Sequence, residues 1–315
     1  MEDYPKTLME FEKQFANEKS CQDYIFRLRW PAGFHCPHCG HEKFWPIGTT
    51  LFQCTKCGYR TSVTAGTIFQ DTHQPLTTWF RTIWWVTSQK SGANALGLKR
   101  ILGLGSYETA WTLLHKLRRA MVRTGRDRLS GKIEVDETYL GGLEAGVRGR
   151  KTNKKVLIAV AAQEEGRGIG RIRMKRIHDA SSQSLHPFIK DAIEPDSTVH
   201  TDGWKGYSGI NTMGYKHNIT ILQKNKESAS ALLPRVHRVV SLLKRWLMGT
   251  HQGGISESYL DYYLDEFTFR FNRRTSRYRG KLFYRLIQQS VITEPKPFKQ
   301  MIKHVRGPKS KEHKI

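Results

Sequence analysis

Apolar positions change their period along the chain. In the first third they recur at helical spacing. Residues from Leu8 to about Phe26 predict a short helical lead. From Pro75 a stripe of Phe80, Ile83, Trp84 and Thr87 predicts a helix, with hydroxyl residues near Leu76 available to cap its start. A break at Ser91-Gly92 precedes a second helix over 94–102. Gly103-Leu104-Gly105 predicts a turn, Ser106 a cap, and 107–123 a third helix with Ala110, Leu113, Leu114 and Leu117 on one face. Helix, glycine turn and basic helix make a helix-turn-helix pattern, alongside the plainer reading of a three-helix bundle with a solvated basic face.

Beyond residue 130 the period shortens to that of strands. Residues 132–140 alternate and end at Gly141-Gly142. Residues 156–162 are almost continuously apolar, as in a strand covered on both faces. A third strand of mixed polarity fits 170–177, an amphipathic helix 182–192, and a short strand 197–200 ending at Asp202. Further on, Leu260, Tyr263, Leu264, Phe267 and Phe271 share a helical face. Three antiparallel strands, a helix and a fourth strand with an acid at its end predict an α/β fold, a mixed five-stranded sheet with flanking helices. The same order occurs in ribonuclease H-like folds. The expected divisions are a helix and cysteine segment over 1–72, a helical DNA-binding region over 73–128, an α/β catalytic domain over 129–292, and a basic tail over 293–315.

Cysteines alter the picture of the first division. Cys36 and Cys39 form one pair and Cys54 and Cys57 another, with fourteen residues between them and Gly40 and Gly58 just after. Two such pairs in a chain without a disulfide framework predict a zinc ribbon, four thiolates around a structural Zn²⁺. Strands are expected at 43–46 and 50–53. His35, His38 and His41 then fall outside a complete shell and read as surface residues, and Cys21 reads as a packing thiol.

Charge narrows the class of partner. The 315 residues carry 52 Lys or Arg against 28 Asp or Glu, a net charge of +24 with pI near 10.0. Such an excess repels itself unless a polyanion is near, which points to double-stranded DNA rather than an acidic protein or a membrane surface. No segment is apolar over the length needed to span a bilayer, and the N-terminus has no signal-peptide core, so a cytoplasmic, nucleoid-associated protein without a membrane partner is expected. Lys116 and Arg119 on the third helix, Arg148, Arg150 and Lys151 in a basic loop, and Lys244 are the expected DNA contacts.

Two acids carry the candidate chemistry. Asp136 sits inside a β-prone run, where a carboxylate costs free energy unless a cation offsets it. Asp202 stands where a strand stops at a glycine turn, the position where α/β sheets bind ligands. Brought together, they would hold Mg²⁺ or Mn²⁺. Taken singly, each is an ordinary strand-edge or turn aspartate.

The zinc ribbon, TAGTIFQDTHQPLTTWF, VDETYLGG, HTDGWKGY and YLDEFTFRFNRR, in this order, resemble the insertion-sequence transposases whose zinc ribbon precedes a DDE-type catalytic domain, in their ISXO-like branch. The resemblance spans about residues 10–290. It implies a ribonuclease H-like fold, divalent-metal catalysis and binding of transposon ends, and Asp136 and Asp202 match the first two catalytic acids. At the third position most such enzymes carry Glu, seven residues before a Lys or Arg. Here Lys244 suits the basic residue and His237 stands seven before it. His237 therefore either replaces that Glu, with a leaning toward Mn²⁺, or leaves the site to Asp265 or Glu266 of YLDEF; an inactive copy is the third alternative. Trp204, Tyr207 and Trp246 are candidates for stacking on a base or for the core.

The resulting expectation is a transposase that binds terminal inverted repeats, hydrolyses a phosphodiester at the element end and transfers the strand to target DNA. By the resemblance it would work as a homodimer or larger assembly on DNA. A DNA-binding regulator without catalysis, and a nuclease of the same fold without strand transfer, are the rival readings.

Overall fold

The computed structural model describes residues 2–123, 125–141, 155–220 and 232–303. They group into two units, one of Met1–Arg123 with Thr275–Ile315 and one of Thr124–Arg274. Arg148, Arg150 and Lys151 lie outside the described residues.

In the first unit the helical lead is two helices, α1 (Leu8–Gln14) and α2 (Glu18–Arg29). The break falls at Asn17, whose side chain accepts the Ser20 amide at 2.9 Å and so starts a new helix. A three-stranded antiparallel meander follows, β1 (Phe44–Ile47), β2 (Leu51–Cys54) and β3 (Arg60–Ser62). The first two strands begin one residue later than the sequence suggests, and the third carries too few apolar residues to be foreseen. Helices α3 (Leu76–Ser88), α4 (Ala95–Leu102) and α5 (Tyr107–Ala120) come next. Gly103 closes α4 in the left-handed conformation and the Ser106 hydroxyl caps α5, as the turn residues imply. The third helix ends at Ala120, short of the expected 123.

The second unit holds a five-stranded sheet: β4 (Lys132–Leu140), β5 (Val156–Glu165), β6 (Gly168–Ile177), β7 (Thr198–Thr201) and β8 (Lys216–Ile219), in the order β6-β5-β4-β7-β8. β4, β5 and β6 are antiparallel neighbours, while β7 runs parallel to β4 and β8 parallel to β7. This is a ribonuclease H-like sheet. Parallel pairing of β4 with β7 requires a crossover, which contains α6 (Ser182–Ala192).

Alternation along β5 covers both sheet faces. Leu157, Ala159 and Ala161 join Leu185, Phe188 and Ile189 of α6 in one core. Ile158, Val160 and Ala162 join a second core with α7 (Pro234–His251) and α8 (Leu260–Phe271), through Val236, Val239, Leu243, Leu264 and Phe267. On β4, Ile133 and Val135 belong to the α6 side. By the same alternation Glu134 and Asp136 point to the α7 side.

The chain then returns to the first unit through α9 (Arg279–Ile292) and α10 (Phe298–Lys303). The sequence reading extended the catalytic block to 292; instead α9 packs on α2, α3 and α5. Its Phe283 is the reason. That ring is fully buried, with centroids of Phe11, Phe15, Phe80 and Trp84 between 5.4 and 5.8 Å away. A buried aromatic hub of this kind contributes through area and edge-to-face geometry together. Phe283→Ala is expected to cost about 3–5 kcal/mol, read as a lowered urea midpoint by tryptophan fluorescence; a change under about 1 kcal/mol would show that α9 is not anchored there.

Candidate functional site

The ribbon brings its four thiols together. Each cysteine pair sits in a tight turn, with the Gly40 amide donating to the Cys36 carbonyl at 2.9 Å and the Gly58 amide to the Cys54 carbonyl at 3.0 Å. Gly40 and Gly58 have φ of +73° and +71°, a region that side chains rarely adopt. All four Sγ atoms lie within 4.8 Å of one another, with Cys36–Cys57 at 3.7 Å and Cys39–Cys54 at 3.6 Å. Tetrahedral thiolates about 2.3 Å from one ion stand roughly 3.8 Å apart, so this donor set fits Zn²⁺. Desolvation raises the Cys54 thiol, but the Cys57 and Lys56 amides and the Cys39 and Cys57 sulfurs together outweigh it and hold the group at about 6. At Cys57 the Tyr59 amide is outweighed by desolvation and the neighbouring sulfurs, which push that thiol up to about 12. The nearby histidines have local partners: His41 pairs with the Thr55 hydroxyl at 2.9 Å, His35 with the Gly33 carbonyl at 2.8 Å, and His38 stacks on Tyr59. Cys21 is fully buried, its thiol pushed up to about 12 by burial, and it stands outside the cluster.

The second constellation lies midway along β4, where β7 ends beside it. Cross-strand partners in β4 and β7 are Lys132 with Thr198, Ile133 with Val199 and Glu134 with His200. Extending that register two residues sets Asp136 level with Asp202, the residue after β7. Asp202 has left the ladder, and its Oδ1 accepts the Trp204 amide at 3.0 Å. Across from them, His237 in the first turn of α7 puts Nε2 3.7 Å from Asp136 Oδ2, with side-chain exposures of 31% and 17%. Burial lowers the His237 pKa against the opposing pull of the Glu134 and Asp202 charges. Its lone pair is therefore free at neutral pH, and the contact is a neutral imidazole beside a carboxylate. Two ligand atoms each about 2.1 Å from one ion stand roughly 3–4 Å apart, so the His237–Asp136 pair has the spacing of two ligands of one divalent cation, whereas among the described residues three or more ligand atoms come within 4.8 Å of one another at the four ribbon cysteines.

Two residues beside this cluster, Glu137 and Glu134, are not singled out by the sequence. The Tyr207 hydroxyl donates to Glu137 Oε2 at 2.7 Å, and burial with the Glu137 charge raises the phenol well above its usual range. Glu134 accepts hydrogen bonds from the start of α7. Its parity with Asp136 along β4 was the available clue. Gly206, in HTDGWKGY, permits the close approach of the turn to the Ala180 carbonyl, where any Cβ would collide.

The acids of YLDEF lie in other surroundings. Asp265 feels Arg126 and Asp261, and burial pushes its carboxyl up to about 7 despite the Arg126 charge. Glu266 is buried. Of the three candidates for the third position, the residue in contact with Asp136 is His237.

Several expected DNA contacts are placed differently. Lys116 is only 8% exposed, its ammonium 6.0 Å from the Trp79 ring centroid, and burial lowers its pKa. It lines a cavity of about 390 Å³ with Asp71, Trp79, Glu108 and Phe298. Lys116 is thus withdrawn as a surface DNA contact, because the apolar face of α5 is wider than its leucines imply. Arg119 is half-buried, and Lys244 is exposed. Lys244 lies near enough to His237 for its charge to depress the imidazole pKa, as two helical turns of spacing require. Of the three aromatic candidates, Tyr207 is core and Trp246 packs near Tyr263 and Phe267, while Trp204 is 38% exposed with its indole N–H donated to the Ala180 carbonyl.

Both constellations fall within stretches that match known families. Residues 16–60 match the transposase zinc-ribbon domain, and residues 128–272 match the ISXO2-like transposase domain. The chain belongs to the insertion-sequence transposases that carry these two domains. A protein of transposable element ISH50 from Halobacterium salinarum, described as uncharacterized, is 23% identical over 304 residues, which cover 89% of this chain and 99% of that one. A chain from the cryoEM structure of the simian T-cell lymphotropic virus intasome, in complex with the PP2A regulatory subunit B56 gamma, shares 16% identity. The match covers 61% of this chain and 70% of that one, with a TM-score of 0.33, too slight a likeness to bear on function. Among the described residues no helix is long and apolar enough to cross a membrane.

Two outcomes follow from these geometries. Cys54→Ser is expected to lose the metal of the ribbon and loosen β1–β3, read by atomic emission and proteolysis; an unchanged metal content would refute the thiolate shell. Asp265 is raised in the folded chain, so between pH 4 and 7 the unfolded state gives up a proton that the fold retains, and stability falls with rising pH. Asp265→Asn should therefore melt higher than the parent at pH 8 and equally at pH 4. A difference that is constant with pH would remove the assignment.

Proposed function

We propose that this protein is a metal-dependent DNA transposase whose catalytic centre is Asp136, Asp202 and His237. The observation that carries the reading is the 3.7 Å approach of the His237 imidazole to the Asp136 carboxylate, at the strand end where Asp202 turns out of β7. The family supplies the reaction class; the assignment of residues is ours.

In this reading Asp136 and Asp202 offer carboxylate oxygens, and neutral His237 offers a nitrogen donor where a third carboxylate is usual. A divalent cation held there would make water a stronger nucleophile and steady the departing oxygen. Water oxygen forms a bond to phosphorus, the P–O bond to the 3′ oxygen breaks, and that oxygen leaves as a hydroxyl. The freed 3′-hydroxyl then attacks a phosphodiester of target DNA and displaces a second 3′-hydroxyl, so no protein side chain becomes covalently attached. Lys244, exposed on the His237 face of α7, would neutralise a phosphate beside the reacting one. The Tyr207–Glu137 hydrogen bond would hold the β7 turn against β4. Zn²⁺ in the ribbon, with the helical block after it, would serve binding of the terminal inverted repeats. Joining two element ends calls for two such centres, hence a dimer or larger assembly on DNA.

The test is a supercoiled plasmid assay with labelled element-end DNA. Strand-transfer product is expected with Mn²⁺ or Mg²⁺; nicking alone would identify a nuclease, and binding alone a regulator. Asp136→Asn and Asp202→Asn should each lower cleavage by about 1,000-fold or more while end binding persists. His237→Ala should abolish Mg²⁺-supported cleavage, and His237→Glu should retain or raise it. Full activity in His237→Ala would displace it from the centre.

A further inference from the structure

The start of α7 has an unusual origin. An α-helix leaves its first amide groups without partners, and a polar residue just before the helix commonly takes one. Here the preceding residue is Leu233, which has no acceptor in its side chain. Pro234 opens the helix and brings no N–H at all. The next two amides, of Arg235 and Val236, both donate to Glu134 Oε2, at 2.7 and 2.9 Å. The His237 amide reaches the Leu233 carbonyl at 3.2 Å. So the helix cap comes from a strand carboxylate about 100 residues earlier in the chain.

The other oxygen is occupied as well. Glu134 Oε1 accepts from Arg235 Nη1 at 3.0 Å, and Glu134 is 5% exposed. The Arg235 guanidinium also donates to the Gly168 carbonyl at 3.1 Å and faces Glu164 at 3.4 Å, both on the β5–β6 hairpin. With both oxygens engaged, Glu134 serves as an anchor. It stands on the same face of β4 as Asp136, two residues before it, and the helix it caps carries His237 one position beyond Val236.

We propose that Glu134 is a positioning residue for the catalytic centre: by capping α7 from β4, with Arg235 as its clamp, it fixes the height and rotation at which His237 meets Asp136. This rests on the catalytic reading above. A helix advances about 1.5 Å and turns about 100° per residue, so a slip of one residue at the cap would carry the imidazole out of reach of Asp136.

The test uses the full chain, without DNA, titrated with Mn²⁺ and followed by the electron paramagnetic resonance of free Mn²⁺. Glu134→Gln keeps the shape of the side chain, removes its charge and sets an amide against the guanidinium. Its Mn²⁺ midpoint is expected to rise about tenfold, as loss of a residue supporting a metal ligand does, while end-DNA binding and zinc content stay at parental values. In cleavage assays kcat should fall with KM for DNA unchanged. If Glu134→Gln melts below the assay temperature, Glu134→Gln/Arg235→Gln removes the orphaned guanidinium too and carries the same expectation. A parental Mn²⁺ midpoint in a folded Glu134 variant, with Asp136→Asn weakened, overturns the proposal. A parental midpoint in Asp136→Asn itself overturns the catalytic reading instead.

Discussion

The parallel pairing of β4 with β7 is the constraint on which the second unit depends. β4 is the central strand, flanked on one side by antiparallel β5 and on the other by β7. Its apolar residues Ile133 and Val135 are committed to the α6 face, so Glu134 and Asp136 have only the α7 face to occupy. The register that opposes Glu134 to His200 then leads Asp136 toward Asp202. Two acids 66 positions apart in sequence are set level, one on β4 and one just past β7, by a two-residue alternation and a single crossover. Shifting β4 by one residue would turn both acids into the α6 core, at a prohibitive desolvation cost.

Much of this was legible in the sequence, for identifiable reasons. The run over 156–162 announced a strand buried on both faces, and Leu157 and Ile158 do enter opposite cores. The cysteine spacing announced the ribbon, because four thiols at two tight turns have few other uses. Gly103 and Ser106 announced helix boundaries through their turn and capping chemistry. Asp136 stood out as a charge inside a β-prone run, and Asp202 as an acid where a strand stops at a glycine turn.

What stayed hidden depends on contacts between distant segments. Lys116 reads as part of a basic surface because a linear pattern cannot show that Trp79 and Phe298 lie over it. The destination of α9 was invisible for the same reason, since its stripe would suit either core until Phe283 meets Phe11, Phe15, Phe80 and Trp84. Glu134 was overlooked because a glutamate in a strand shows no sign of the helix it will cap. The cap that Leu233 and Pro234 cannot supply is legible only as a deficit, and a deficit points to no particular partner.

In the proposed centre, an imidazole at position 237 in place of a carboxylate would also change the charge. Three carboxylates around one divalent cation leave a net negative charge, which must be offset before a phosphodiester can approach. Two carboxylates with a neutral imidazole balance one divalent cation. The depressed His237 pKa preserves that balance, because a protonated ring would both repel the cation and lose its donor. Lys244, which contributes to the depression, holds a positive charge on the same helical face. One helix thus carries both the imidazole and a lysine whose charge adds slightly to the effect of burial on its pKa. Glu134, which anchors the first turn of this helix, opposes the depression: its charge is the strongest pull raising the imidazole pKa, and burial outweighs it.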